Sequence, residues 1–138
     1  ICSRLGVQNG LRFKNPLLEF YYKNDELGDP IVNDAHINLF EWSSPSEIEQ
    51  VKTFALKVNK ILSHFFLSVG ITLIDLKLEF GRVKIDNQLV VADEISPDSC
   101  RLCDTDNKEK FDKDIFRFDI GDLVSSYRKL AQRIGVIS

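Results

Sequence analysis

The sequence predicts an α+β fold in which an antiparallel-rich sheet is flanked by helices. The stretch Leu73–Gly81 alternates apolar and charged residues with the period of two that is typical of a strand. A more apolar strand, ending at Asp93-Glu94, follows after a short link, so a hairpin would place the two strands side by side. An apolar stripe at three- and four-residue steps predicts a long helix that packs on this sheet.

The elements before that helix are predicted to be short. A helix tail is expected to end near Gly6, and Leu17–Tyr22 is typical of an aromatic-rich strand. Asn33 or Asp34 is expected to cap a helix that runs to about Phe40.

The long helix has a clear beginning and a clear end. Ser44 to Glu47 combine a cap serine, a proline in the first helical position and a glutamate two residues after that proline. Gly70 supplies the stop. The stripe between them consists of Ile48, Val51, Ala55, Val58, Leu62 and Phe65, and is widened by Phe54, Ile61 and Phe66.

The end of the chain predicts a loop and a last helix. Residues 104–110 are polar and are expected to form a surface loop, and residues 111–117 mix aromatic and charged side chains. Asp119 is expected to cap the final helix, which ends at Gly135. Its apolar stripe consists of Leu123, Tyr127, Leu130, Ala131 and Ile134.

Composition limits the classes of function. The 138 residues fit one domain, and 18 basic against 21 acidic side chains give a net charge of −3, which argues against binding to nucleic acid or membrane surfaces through bulk charge. No apolar run reaches the length of a membrane span. An odd count of three cysteines, with no apolar signal before them, indicates a reducing cytoplasm. The chain begins at Ile1 rather than at methionine, so we expect it to be a portion of a longer protein.

Cysteines and histidines are weak candidates for chemistry. Cys100 and Cys103 have the spacing of a redox or zinc pair, but one such pair without a second makes a poor tetrahedral site, so buried thiols are the preferred interpretation. His36 and His64 have no visible partner and are interpreted as structural or exposed.

Charges on the strand Leu73–Gly81 are the first candidate site. Asp75, Lys77 and Glu79 share one face, with neighbours about 6.5–7 Å apart. By itself, this row fits either a solvated face or a polar ligand that needs both cations and carboxylates.

The residues after this strand favour a ligand site. Asp93-Glu94 ends the second strand, and a Ser-Pro-Asp turn then presents Asp98 and Arg101. Carboxylates beside a hairpin are typical ligands of Mg²⁺, for which one or two are enough when phosphates supply the rest. We expect Glu79 to oppose Asp93 across a three-residue loop centred on Asp86; a two-residue turn would instead pair Glu79 with Glu94.

Four blocks of the sequence belong together: Glu19–Pro30, Ile74–Gly81, Ala92–Leu102 and Asp112–Arg117. In this order they resemble one family, the phosphoribosylaminoimidazole-succinocarboxamide synthases, or SAICAR synthetases, of purine biosynthesis. Ile74–Gly81 resembles the second signature of that family. The resemblance covers essentially the whole chain and implies the C-terminal substrate domain of a two-lobe enzyme.

The resemblance implies an ATP-dependent ligase that joins L-aspartate to the carboxylate of carboxyaminoimidazole ribotide. Glu79 and Asp93 would be the Mg²⁺ and nucleotide carboxylates, and Lys77 and Asp98 would be catalytic residues in the pocket for ribotide and aspartate. Metal carboxylates and cations are what a phosphoryl transfer needs. A homodimer is implied as well.

The remaining implied roles concern substrate binding. Arg101 would line the same pocket, Lys23 and Asp29 would contribute from the charged loop 23–30, and Arg117 would bind the 5′-phosphate of the ribotide. Composition alone leaves that loop open between a solvated connection and a binding loop. Asp75 matches the signature without an assigned role.

Two departures from the family are visible. Cys103 stands where the family usually has tryptophan, which is interpreted as a packing change. The N-terminal nucleotide lobe, with the ATP lysine and the first signature, is absent from these residues, so the isolated chain is expected to be inactive or nearly so. The alternatives are a small-molecule kinase of the inositol-phosphate type and a non-catalytic binding module.

Overall fold

The computed structural model describes residues 1–119 and 121–137, apart from the side chains of Ser3 and Phe116. Two compact units comprise Ile1–Lys52 and Thr53–Ser138. The predicted class is confirmed, since helices accompany small antiparallel sheets. Instead of one sheet, three two-stranded sheets are described in these residues. The prediction of a single domain over 1–138 stays a prediction.

The first unit has short elements, as expected. Helix α1 covers Cys2–Leu5 and ends at Gly6, whose φ of 66° is the left-handed value that glycine adopts most easily. Strand β1 is only Phe20–Tyr21, shorter than predicted, because it pairs solely with the two residues of β2, Ile31–Val32. Helix α2 covers Asp34–Leu39.

The predicted helix caps are largely confirmed. Asn33 caps α2 by accepting a hydrogen bond from the His36 backbone N–H at 3.0 Å, and His36 Nδ1 accepts one in return from the Asn33 backbone. Helix α3 covers Pro45–Ser68. Ser44 and Glu47 form its capping box, and Gly70, with φ of 72°, follows its last turn.

The second unit begins its strands earlier than the sequence predicts. Strand β3 covers Ile71–Leu76 and pairs antiparallel with β6, Cys100–Asp104, for which the sequence predicted no strand. The predicted strand Leu73–Gly81 is therefore wrong in extent: it is interrupted over 77–79 and resumes as β4, Phe80–Arg82. The two halves pair with different strands, because β4 pairs with β5, Leu89–Val91.

The predicted hairpin register is also wrong. Phe80 pairs with Val91 and Arg82 with Leu89, and the ladder continues as a hydrogen bond from the Ala92 N–H to the Glu79 carbonyl at 2.9 Å. Glu79 thus lies beside Ala92 instead of Asp93 or Glu94. The turn explains the shift, because Asn87 takes a positive φ of 59° and its N–H bonds the Val83 carbonyl at 2.8 Å, which closes a turn without the centre predicted at Asp86.

The last helices follow β6. Helix α4 covers Asp114–Arg117, and α5 covers Leu123–Arg133. The cap of α5 is Asp122, which accepts from the Val124 N–H at 3.1 Å, and the predicted cap Asp119 is wrong; it has a positive φ of 50° and precedes the helix. Gly135 follows α5, as predicted.

The core of the second unit lies where α3, β3, β6 and α5 meet. Its buried members are Phe66, Ile71, Cys100, Leu102, Phe111 and Leu130. The predicted stripe of α3 is only partly buried: Phe66 is buried, whereas Phe54, Ile61 and Phe65 are exposed. Among the described residues, no helix is long and apolar enough to cross a membrane.

Candidate functional site

The pairing of β3 with β6 brings Asp75 opposite Arg101. Arg101 Nη1 donates to Asp75 Oδ2 at 2.8 Å, and its Nε donates to Asp114 Oδ2 at 2.9 Å. Burial acts to lower the pKa of Arg101, but the hydrogen bonds and charges of the two carboxylates outweigh it and the pKa is raised. Asp75, which the sequence left without a role, is therefore one of two carboxylates that hold this guanidinium.

Asp114 is the centre of a cluster of cations. Its side chain is only 6% exposed, and besides Arg101 it lies 3.7 Å from Lys110 Nζ and 3.8 Å from Arg117 Nη1. The three cationic side chains are 40–51% exposed, so their charged ends can meet a ligand from solvent. Arg101 and Arg117 were both predicted to bind substrate. Lys110 was not predicted as a site residue, and the structure adds it to the cluster.

A second buried carboxylate fixes the backbone under this cluster. Asp112 is fully buried, and its two oxygens accept from the Leu102 N–H and the Asp114 N–H, each at 2.9 Å. These two bonds tie the start of α4 to strand β6. Asp112 therefore determines where Asp114 stands relative to Arg101.

Lys77 and Glu79 lie in the interruption between β3 and β4. Lys77 Nζ is 2.8 Å from Glu79 Oε1, and the lysine side chain is 56% exposed while the glutamate is 18% exposed. The Lys77 N–H donates to the Ser99 carbonyl at 2.7 Å, which holds the interruption against the turn before β6. The structure thus brings these two predicted site residues together as an ion pair.

Asp93 follows directly after the ladder partner of Glu79. It is exposed, and its Oδ1 accepts from the Glu94 N–H at 2.9 Å. In the observed register, Ala92 is opposite Glu79, so Asp93 is one residue away from the position that was predicted for it. Among the described residues, no group of three or more His, Cys, Asp or Glu side chains is placed to hold a metal ion.

Asp98 is held by a residue of α5. Tyr127 donates its phenolic hydrogen to Asp98 Oδ1 at 2.9 Å. Burial and this hydrogen bond to Asp98 both raise the pKa of Tyr127, so the hydroxyl keeps its proton at neutral pH. The Asp98 carboxylate is therefore oriented by the Tyr127 hydroxyl, which remains a hydrogen-bond donor at neutral pH.

Lys23 and Asp29 belong to the first unit. The loop between β1 and β2 contains a 3₁₀ turn over Asp25–Leu27, capped by Asn24. Asp29 has a positive φ of 48°, and its Oδ1 accepts from the Asn24 N–H at 2.8 Å. Lys23 is exposed. Within this unit, Asp29 closes the loop on itself.

The cysteine pair lies within β6, and both thiols are free and buried. Burial is the main cause that raises the pKa of each thiol. A raised pKa keeps both sulfur atoms protonated, whereas a reactive cysteine needs the deprotonated thiolate form.

Comparison with known proteins decides the family. The model of the SAICAR synthetase family matches residues 1–134. The chain belongs to the SAICAR synthetase family. Two curated members are the phosphoribosylaminoimidazole-succinocarboxamide synthases of Wolbachia pipientis wMel, 48% identical over 98% of this chain and 57% of its own length, and of Dinoroseobacter shibae, 52% identical over 99% and 55%. The chain thus spans little more than half the length of these members of the family.

Solved structures of SAICAR synthetases have the same fold. The Ehrlichia chaffeensis enzyme superposes with a TM-score of 0.94 at 46% identity, over 99% of this chain and 59% of that one. A SAICAR synthetase in complex with ADP gives a TM-score of 0.92 at 45% identity, over 99% and 57%.

Sequence reasoning missed four side chains of the site: Asp112, Asp114, Lys110 and Tyr127. Asp112 and Asp114 had a signal, because both lie in the block Asp112–Arg117 that resembles the SAICAR synthetases. Lys110 and Tyr127 had none, since they reach their partners through tertiary contacts across loops and helices.

Proposed function

We propose that the protein to which this chain belongs is an ATP-dependent ligase that joins L-aspartate to carboxyaminoimidazole ribotide. The observation that carries the proposal is the family match over residues 1–134. The gathering of Lys77 with Glu79, and of Arg101 with Arg117, in one compact unit supports it. ATP as the nucleotide is supported by the solved SAICAR synthetase that holds ADP.

The reaction proceeds in two steps. The ribotide carboxylate takes the terminal phosphoryl group of ATP, so an acyl phosphate forms and ADP leaves. The amine of L-aspartate then attacks the carbonyl carbon; the carbon–nitrogen bond forms, phosphate leaves with the carbon–oxygen bond pair, and the amine releases a proton. Such an attack chiefly needs positioning, so a nucleophilic serine or cysteine is unnecessary. The protonated thiols of Cys100 and Cys103 fit this chemistry.

Each charged residue has a role in this scheme. Lys77 offsets the charge that develops on the transferred phosphoryl group and the carboxylate. Asp98, oriented by Tyr127, accepts a hydrogen bond from the ammonium or amine of the aspartate substrate. Arg101 and Arg117 bind the acidic groups of the ribotide through their forks of donors. For Lys23 and Asp29, which belong to the first unit, substrate binding stays a prediction from the resemblance.

The donor set suits Mg²⁺. Glu79 and Asp93 would supply carboxylate oxygens, the ligand type that Mg²⁺ prefers, and phosphate oxygens of the nucleotide would supply the rest. Bound there, the ion would neutralise charge on the phosphates. Lys77 Nζ lies 2.8 Å from one oxygen of the Glu79 carboxylate.

The organisation of the enzyme is part of the proposal. Residues 1–138 form one domain, the C-terminal part of a two-lobe protein, and the nucleotide lobe of the family is not among them. The protein works as a cytoplasmic homodimer. The 138 residues alone therefore have little or no turnover, because they would form only one side of the ATP-binding cleft.

ADP release tests the proposal directly. The protein, expressed as its gene encodes it, is given ATP, Mg²⁺, carboxyaminoimidazole ribotide and L-aspartate, and the succinocarboxamide product is followed by chromatography. We expect ADP release that depends on both substrates, and Lys77→Gln to lower it at least 100-fold, since a positioned charge at a transferring phosphoryl group contributes about that much. Lys84→Gln, an exposed lysine in the turn between β4 and β5, is the matched control and should stay within about twofold.

Other outcomes identify the alternatives. ADP release with inositol phosphates instead of the ribotide would indicate a small-molecule kinase. Binding of the ribotide without any product would indicate a binding module. Turnover by the 138 residues alone at the rate of the encoded protein would refute the predicted need for a second lobe.

A further inference from the structure

The carboxylate of Asp114, at the centre of the cluster of cations, is buried, yet its Oδ1 has no hydrogen-bond partner among the described residues. Its other oxygen accepts from Arg101 Nε at 2.9 Å. Arg117 Nη1 stands 3.8 Å from Oδ1, too far for a hydrogen bond but close enough for charge attraction.

Leaving a buried carboxylate oxygen unpaired destabilises a fold, so a site that keeps one has a use for the charge. Three cations lie within 4 Å of this carboxylate, and without it they would repel one another. Arg101 donates from Nε to Asp114 and from Nη1 to Asp75. Neither of these two bonds uses its Nη2.

We infer that Asp114 is a positioning residue, which gathers Arg101, Arg117 and Lys110 into one cradle for the anionic groups of the ribotide. The inference rests on the proposed function for the identity of the ligand, and on the geometry for the role of Asp114. Asp112 fixes Asp114 through the backbone, and Asp75 completes the hold on Arg101.

Removing Asp114 has two opposing effects on an anion. The carboxylate repels the ligand, so its loss strengthens binding through long-range charge; it also orients the arginines, so its loss weakens binding through geometry. Salt separates the two effects, because at about 0.5 M ionic strength charge effects beyond roughly 4 Å are screened. Orientation of Arg101 by its short, partly buried hydrogen bond to Asp114 is screened less.

The test uses Asp114→Asn in the protein as its gene encodes it, at low and high salt. We expect the KM for the ribotide to rise about tenfold or more at high salt, with the KM for L-aspartate and for ATP within about twofold. Asp114→Glu, which keeps the charge but moves it by one methylene, should recover only part of the loss. The matched control is Asp104→Asn, an equally buried carboxylate that pairs with Arg133 instead of with the three cations of the cluster. It should lower thermal stability while leaving the KM for the ribotide within about twofold.

A second measurement does not depend on turnover. Ribose 5-phosphate is titrated into the protein, and the Nε–H signals of Arg101 and Arg117 are followed by NMR. We expect both signals to shift together in the wild type and to lose this coupling in Asp114→Asn. If that variant does not fold, Lys110→Gln on the half-exposed edge of the cluster is used instead, with weaker ribose 5-phosphate binding expected.

The outcomes separate the two proposals. Normal ribotide KM or tighter ribotide binding in Asp114→Asn at high salt would overturn the positioning role, as would unchanged ribose 5-phosphate binding in Lys110→Gln. Absence of product from the wild type, with the coupled arginine shifts intact, would overturn the proposed reaction and leave the anion cradle standing.

Discussion

The replacement Asp112→Asn probes the buried support of the site. Asp112 is fully buried and accepts two backbone N–H groups at 2.9 Å, one on each oxygen. Asparagine keeps the shape but has one oxygen, so one N–H would face an NH₂ donor instead of an acceptor. A hydrogen bond to a charged group contributes about 1.5–3 kcal/mol, and the donor left unpaired adds about 1–3 kcal/mol.

The neutral amide also avoids the cost of burying a charge, which offsets part of this loss. We therefore expect a destabilisation of about 2–4 kcal/mol, or a fall in Tm of roughly 8–15 °C for a chain of this size. Urea unfolding measures the free energy, and hydrogen exchange at the Leu102 amide reports the lost bond. Asp106→Asn, an exposed aspartate in the same unit, is the control and should change stability by less than about 0.5 kcal/mol. A difference between the two variants below about 0.5 kcal/mol would refute the reasoning.

Two further predictions concern single carboxylates. The backbone N–H groups of Asn107 and Asp106, with the Arg133 guanidinium, lower the pKa of Asp104 in the folded state. Its contribution to stability is therefore present above the unfolded pKa of about 3.9 and is lost as pH falls through the lower folded value. Denaturant titrations should show Asp104→Asn least stable relative to wild type near neutral pH and closest to it in acid; a gap that widens in acid would contradict the sign. Tyr127→Phe removes the donor to Asp98, and we expect kcat of the proposed ligase to fall about tenfold with stability changed by less than about 1 kcal/mol. Tyr21→Phe, which removes a similar bond to Glu19 at 3.1 Å, should leave kcat unchanged, and equal losses in both variants would argue against a specific role for Tyr127.

Local signals in the sequence predicted the helices well. Ser44, Pro45 and Glu47 encode the start of α3 by themselves, and Gly6, Gly70 and Gly135 mark helix ends because their backbones take positive φ. Asp119 and Asp122 are both of a residue type that caps helices, and the observed bond from the Val124 N–H to Asp122, with the positive φ of Asp119, distinguishes them.

Strand pairing was predicted poorly, since it depends on partners distant in the chain. A period of two across Leu73–Gly81 is equally compatible with one strand or with two that pair separately. The left-handed residue Asn87, which sets the register, is not encoded by any neighbouring glycine. The segment Cys100–Asp104 carried few signals of a strand, because four of its five residues are buried and its apolar and polar residues do not alternate regularly.

The candidate site followed a similar division. Residues that resemble the family signature, such as Lys77 and Glu79, were named from sequence, and the structure brings them within 2.8 Å of each other. Residues that hold others in place, such as Asp114 and Tyr127, depend on contacts 13 to 29 positions apart and were missed.

The interruption at 77–79 divides the candidate site into two parts that an insertion in the chain would affect differently. Glu79 and Asp93 owe their spacing to the hairpin of β4 and β5, whereas Asp75 and Arg101 owe theirs to β3 and β6. An insertion in the turn between β4 and β5 would displace the carboxylates expected to bind metal without disturbing the arginine cradle. The residues proposed for nucleotide chemistry and those proposed for substrate recognition therefore belong to separate strand pairs, and Lys77 lies in the segment between them.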